Sequence, residues 1–170
     1  AGVIALLMRQ RLETPGATAA LVTPERRLAR RVAIELRRWG VEVDDSAGVA
    51  LGATPPGAFL RLAAQAMADG LAPVPLLAML KHPLASGGRA TGAFKREIRR
   101  LDRLVLRGPR PAPGFAGLAA ACQTDKLPET TRALVAEMRA EAAAWEGLCR
   151  RDRVALPALV AAHVGFAEWL

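Results

Sequence analysis

Thr18 to Asp45 reads TAALVTPERRLARRVAIELRRWGVEVDD, and its three parts decide the expected fold. TAALVT (18–23) is a short continuous apolar run, the pattern of a strand buried on both faces. Pro24 stands where a helix begins, a place where its missing N–H costs nothing. Leu28, Val32, Leu36 and Trp39 then share one side of that helix, and Gly40 suits the position just past its end. VEVDD (41–45) alternates apolar and polar side chains, as a half-buried strand does. Strand, amphipathic helix, strand within about thirty residues is a βαβ unit with a right-handed crossover. Two parallel strands do not make a stable sheet, and no third convincing strand follows. The expectation is therefore a piece of a larger protein whose other strands complete the layer.

Outward from this stretch the pattern is helical. Residues 1–13 carry Val3, Leu6, Leu7 and Gln10 at helical spacing before Pro15-Gly16 stops the run. Thr54 caps and Pro55 opens a helix through Phe59, Leu60, Ala63 and Met67 that closes near Asp69-Gly70. Pro75 to Lys81 is a short helix ended by His82-Pro83, and LASGGRAT (84–91) reads as a flexible linker. Gly92 to Arg107 is the clearest helix of all, followed by a rigid proline-rich connection, GPRPAPG (108–114). Further helices are expected over 114–123, 128–150 and from Leu156 onward.

Composition bounds the function. Hydrophobic residues make up 52% and charged residues 24%, a globular balance and not a disordered one. The longest apolar stretch, Val154 to Ala167, contains Pro157 and His163 and falls short of the ~20 residues a membrane span needs, so no membrane partner is expected. The apolar opening from Gly2 to Met8 has its arginines after it, the reverse of a secretory signal. Cys122 and Cys149 form no CxxC and stand apart from the two histidines, so neither metal nor cofactor is expected and the setting reads as the reducing cytoplasm. The net charge is +8, and 21 of the 24 basic residues are arginine, the side chain best shaped for bidentate phosphate contact.

Where the charges fall sharpens this. On the helix at 92–107, Phe94, Ile98, Leu101 and Val105 form one stripe, and Arg96, Arg100, Arg103 and Arg107 form the opposite one. Four arginines in a ridge about 16 Å long match the scale of a phosphodiester backbone. The bland alternative is a solvated face partly neutralised by Glu97 and Asp102. Arg26, Arg27, Arg30, Arg31, Arg37 and Arg38 make a broader, less ordered patch. No lysine follows the spacing of a P-loop, and Ser86-Gly87-Gly88-Arg89 follows a helix and not a strand. Asp44-Asp45 is the one paired acidic spot, where turn-making is commoner than magnesium binding. His82 and His163 sit in contexts that suit local backbone bonding and core packing, so no catalytic residue is assigned and the chain is not expected to be an enzyme.

Three strings in order, residues 18–48 (TAALVTPERRLARRVAIELRRWGVEVDDSAG), 54–70 (TPPGAFLRLAAQAMADG) and 76–88 (LLAMLKHPLASGG), resemble the alphaproteobacterial AddB family, subunits of the AddAB helicase–nuclease that processes double-strand breaks. More distantly the run is similar to the start of the second motor domain of UvrD-type helicases. Phe59-Leu60-Arg61-Leu62 and Leu80-Lys81-His82-Pro83 stand where that class has a "YLRLL" helix and an "LNxP" turn. The likeness extends to about residue 113 and covers the last fifty residues poorly. One departure is informative: the run into Thr23-Pro24 lacks the arginine that active motors of this class place after the corresponding strand. The resemblance implies a motor without ATP turnover, acting as scaffold and DNA-contacting surface beside an AddA-like partner subunit. The family's nuclease domain with its iron–sulfur cluster has no counterpart here. The resulting expectation is an α/β, predominantly helical chain: a partial RecA-like βαβ segment over 1–85, then a helical inserted subdomain over 86–170. Its partners would be DNA and the partner subunit, with Arg96, Arg100, Arg103 and Arg107 as the contact residues. The rival reading is a protein–protein interaction module that sets its basic face against an acidic partner.

Overall fold

The computed structural model describes residues 1–170 and is built of helices alone. They are α1 (Gly2–Leu12), α2 (Arg26–Arg37), α3 (Pro55–Ala68), α4 (Pro73–Leu80), α5 (Thr91–Leu101), α6 (Gly114–Ala121), α7 (Glu129–Cys149) and α8 (Leu156–Trp169). A 3₁₀ turn (Leu51–Ala53) precedes α3, and a π-helical turn (Asp102–Leu106) continues α5. The chain divides into two compact units, Ala1–Gly48 and Val49–Leu170. The boundary expected at 85/86 lies inside the second, between α4 and α5. No helix is long and apolar enough to cross a membrane.

The βαβ expectation is overturned: there is no strand anywhere, and so no partial RecA-like layer. No backbone N–H from 18 to 23 or from 42 to 46 donates to another backbone group. A strand is defined by such ladder bonds, and a pair of short runs without further strands gains too little from pairing to fix that geometry. Side chains decide the path instead. Leu21 and Val41 pack on the small core of Ala5, Val32 and Leu36 between α1 and α2. Val22, expected to be buried, is 94% exposed. Asp45 receives a bidentate pair of bonds from Arg26, both 2.8 Å, and accepts the Ala47 N–H, so it closes a turn.

The second unit holds the larger core. The amphipathic patterns of α3, α5 and α7 bury Phe59, Phe94, Ile98, Leu134 and Met138, with Phe115 from α6 and Phe166 from α8. α7 packs against α5, α6 and α8, and α3 against α4 and α8. Thr54 caps α3 by accepting the Gly57 N–H, as its position before Pro55 predicts. The segment 84–91 is not a free linker. Ala85 is buried, the N–H groups of Ser86 and Gly87 donate to the Leu170 carbonyl, and Arg89 pairs with Glu137 of α7. Gly87 has φ +53°, and its missing side chain lets the Phe94 ring close over it.

Candidate nucleic-acid interface

α5 owes its placement to its apolar stripe: Phe94, Ile98 and Leu101 are buried, and Val105 of the π turn continues the line. Two carboxylates flank that stripe and are buried with it, Glu97 at 9% and Asp102 at 6% exposure. A buried charge requires hydrogen-bonding partners of opposite sign or polarity, and each has them. Glu97 Oε1 accepts from Arg100 at 2.7 Å, while Oε2 accepts from the Thr131 hydroxyl at 2.6 Å and the Thr130 hydroxyl at 3.1 Å, both on α7. Asp102 Oδ2 accepts from Lys81 Nζ at 2.7 Å and Oδ1 from Arg107 Nε at 3.2 Å. The π turn closes beside it, with the Arg107 N–H donating to the Asp102 carbonyl five residues back.

These contacts set the electrostatics. Burial pushes the Glu97 carboxyl toward protonation, and the bonds from Thr131, Arg100 and Thr130 outweigh it, leaving its pKa below the usual carboxylate value. At Asp102 the bonds from Lys81 and Arg107 lead, burial opposes them, and the pKa is again lowered. Both acids are therefore ionised at neutral pH and neutralise the cations they hold.

The expected ridge is thus divided in two. Arg100 and Arg107 spend their charge locally on Glu97 and Asp102, the acids whose other bonds, to Thr130, Thr131 and Lys81, tie α5 and its π turn to their neighbours. Arg96 and Arg103 are exposed and form no ion pair. Two more exposed cations share their side of the helix: Lys95, and Arg99, whose Nε donates to the Lys95 carbonyl. Neither belongs to the strict one-turn spacing that marks the ridge in sequence. Their signal was simply the adjacent positive positions at 95–96 and 99–100. Lys95, Arg96, Arg99 and Arg103 make one face with no carboxylate bound to it.

The first unit carries its own basic face on α2. Arg26 is committed to Asp45 and to the Gly48 carbonyl, and Arg38 to Glu35, leaving Arg27, Arg30, Arg31 and Arg37 exposed without an ion pair. Arg9 of α1 lies over the Trp39 ring, 5.0 Å from its centroid.

The histidines are occupied structurally. His82 stacks on Phe59 with centroids 5.1 Å apart, and its Nδ1 accepts the Leu84 N–H. His163 stacks on Trp145 at 4.6 Å with its Nε2 2.9 Å from the Leu60 carbonyl. Asp44 and Asp45 gather no third ligand, and no group of three or more His, Cys, Asp or Glu side chains takes a metal-holding arrangement. Comparison with family models, curated proteins and solved structures finds no match to this chain.

Proposed function

We propose that this chain is a non-catalytic, DNA-contacting scaffold segment of an AddB-like subunit from a double-strand-break repair helicase–nuclease. One observation carries it: Lys95, Arg96 and Arg99 of α5 and Arg103 of the π turn stand exposed and without an ion pair on one side, while the neighbouring Arg100 and Arg107 are tied down by buried acids. Free cations on a rigid element give the sequence-independent attraction on which backbone binding to DNA rests. The strings at 18–48, 54–70 and 76–88 supply the AddB part of the reading and, with it, the AddA-like partner. Residues 1–85 hold no strand and so no RecA-like layer, and the scaffold role rests on helices alone.

A salt titration of binding to a short DNA duplex tests it. Replacing Lys95, Arg96, Arg99 and Arg103 together by alanine is expected to weaken binding and to reduce the slope of log K against log salt by roughly three to four. Replacing Arg100 alone should lower stability and leave the slope nearly unchanged, because its charge is already spent on Glu97. Equal affinity and equal slope for the quadruple variant and the parent would remove α5 from the account and favour the protein-interaction alternative.

A further inference from the structure

The second unit carries another basic surface, away from α5's cations in sequence and in chemistry. Between α6 and α7 runs an open groove of about 570 Å³. Its walls carry Arg132, Arg139 and Arg150, and its α7 floor is made of the methyl groups of Ala136, Ala140 and Ala143. All three alanines are exposed on a helix whose opposite side, Leu134, Met138, Ala142 and Trp145, is buried in the core. From Arg132 to Arg150 the groove follows α7 for about 27 Å.

The charges are unequal in availability. Arg132 is held by Glu129 and by the Thr124 carbonyl, and Arg150 by Glu146, whose same oxygen also accepts the Phe115 N–H at the start of α6. Arg139, between them, is exposed and has no partner. The groove thus offers a methyl floor and one free guanidinium at its middle, while the guanidinium groups at its ends are already paired, Arg132 with Glu129 and Arg150 with Glu146, which also lines the groove. A nucleic-acid backbone has nothing apolar to set on such a floor. A helix has, and the small floor residues allow close axis-to-axis approach. The arginines are separated by seven and then eleven residues, each near a whole number of turns. Carboxylates at the same separations on a helix lying along α7 would fall on one face of that partner.

We infer that the α6–α7 groove is a docking site for an acidic amphipathic helix of a partner protein, its apolar side on Ala136, Ala140 and Ala143 and a carboxylate on Arg139. The complementarity of charge and the methyl floor argue for this occupant, independently of whether α5 binds DNA.

The test uses the full chain and a labelled synthetic helical peptide with leucines and alanines on one side and glutamates spaced seven and then eleven residues apart. Saturable binding seen by fluorescence anisotropy is expected. It should weaken about tenfold in Arg139→Glu and in Ala143→Trp, the second of which fills the groove. Exchanging the central glutamate of the peptide for lysine should restore binding to Arg139→Glu and not to Ala143→Trp. Both substitutions are on an exposed helix face, and an unchanged far-UV circular dichroism spectrum excludes misfolding as the cause of any loss. The inference is overturned if the peptide fails to bind. It is equally overturned if a version with lysines at all three positions binds as well, or if Ala143→Trp lowers affinity for a DNA oligonucleotide and not for the peptide.

Discussion

At Gly87 the backbone takes φ +53°, and an added Cβ would lie 3.1 Å from Phe94 Cε2 and 3.5 Å from Leu134 Cδ1. Alanine there meets both the left-handed backbone cost and a crowded ring. Gly87→Ala is expected to destabilise the second unit by about 1–2 kcal/mol, a fall of roughly 3–6 °C in its thermal midpoint. The two thiols make a similar single-residue contrast. Cys122 is buried, and burial pushes its pKa up to about 11, whereas Cys149 is exposed and is raised by desolvation and by Glu146. The thiolate is the reactive form, so both should be sluggish near neutral pH and Cys122 nearly inert. Titration with an aromatic disulfide reagent should show one slow accessible thiol in the folded chain and two after denaturation. Two equally fast thiols in the native protein would contradict the burial of Cys122.

At the scale of one element, α5 and its π turn are held through carboxylates, which makes their docking sensitive to acid. Glu97 and Asp102 ionise at lower pH folded than unfolded, so folding sheds protons at these sites. The stabilisation is complete above the unfolded carboxylate range near pH ~4 and disappears as the pH falls through the lower folded values. Urea midpoints for the second unit should accordingly be level from neutral pH down to about 5 and decline below about 4. Glu97→Gln should cost about 1–2 kcal/mol at neutral pH and flatten that acid decline, because the glutamine no longer titrates. A variant with the parent's acid profile would show that Glu97 does not set it. The apolar side of this element was legible in sequence, since Phe94, Ile98, Leu101 and Val105 repeat at helical spacing and are buried. Which arginines stay free was not, because that depends on Thr130, Thr131 and Lys81, which approach α5 from elsewhere in the chain. The one-residue widening at 102–106 also escapes a pattern read at a regular period. Thr54-Pro55 announced the start of α3 correctly because capping is local. The runs at 18–23 and 41–45 misled for the converse reason: a strand exists only through hydrogen bonds to a neighbour, and an apolar run can equally be a loop laying Leu21 and Val41 on two helices. The small and glycine residues of 84–91 looked like a linker, yet tight packing on Phe94 needs small residues just as much.

At the scale of the whole molecule, the two units differ most in how much they bury. Ala1–Gly48 encloses only Ala5, Val32 and Leu36 completely, whereas the second unit has a core drawn from six helices. Burial of apolar area is the main favourable term, and a unit this small removes a lesser share of its surface from water. Its stability then leans on a few polar ties, chiefly the bidentate bond from Arg26 to Asp45 and the stacking of Arg9 on Trp39. Unfolding is therefore expected in two steps, the first unit opening at lower denaturant. The tryptophans separate the steps, since Trp39 belongs to the first unit and Trp145 and Trp169 to the second. With Trp145 and Trp169 changed to phenylalanine, the remaining fluorescence should report the early transition alone, while circular dichroism on the same samples follows both. Expressing residues 49–170 by themselves should preserve the later transition. Its loss in that shorter chain, or a single coincident transition by both probes in the full one, would show that the small unit contributes to the stability of the large one.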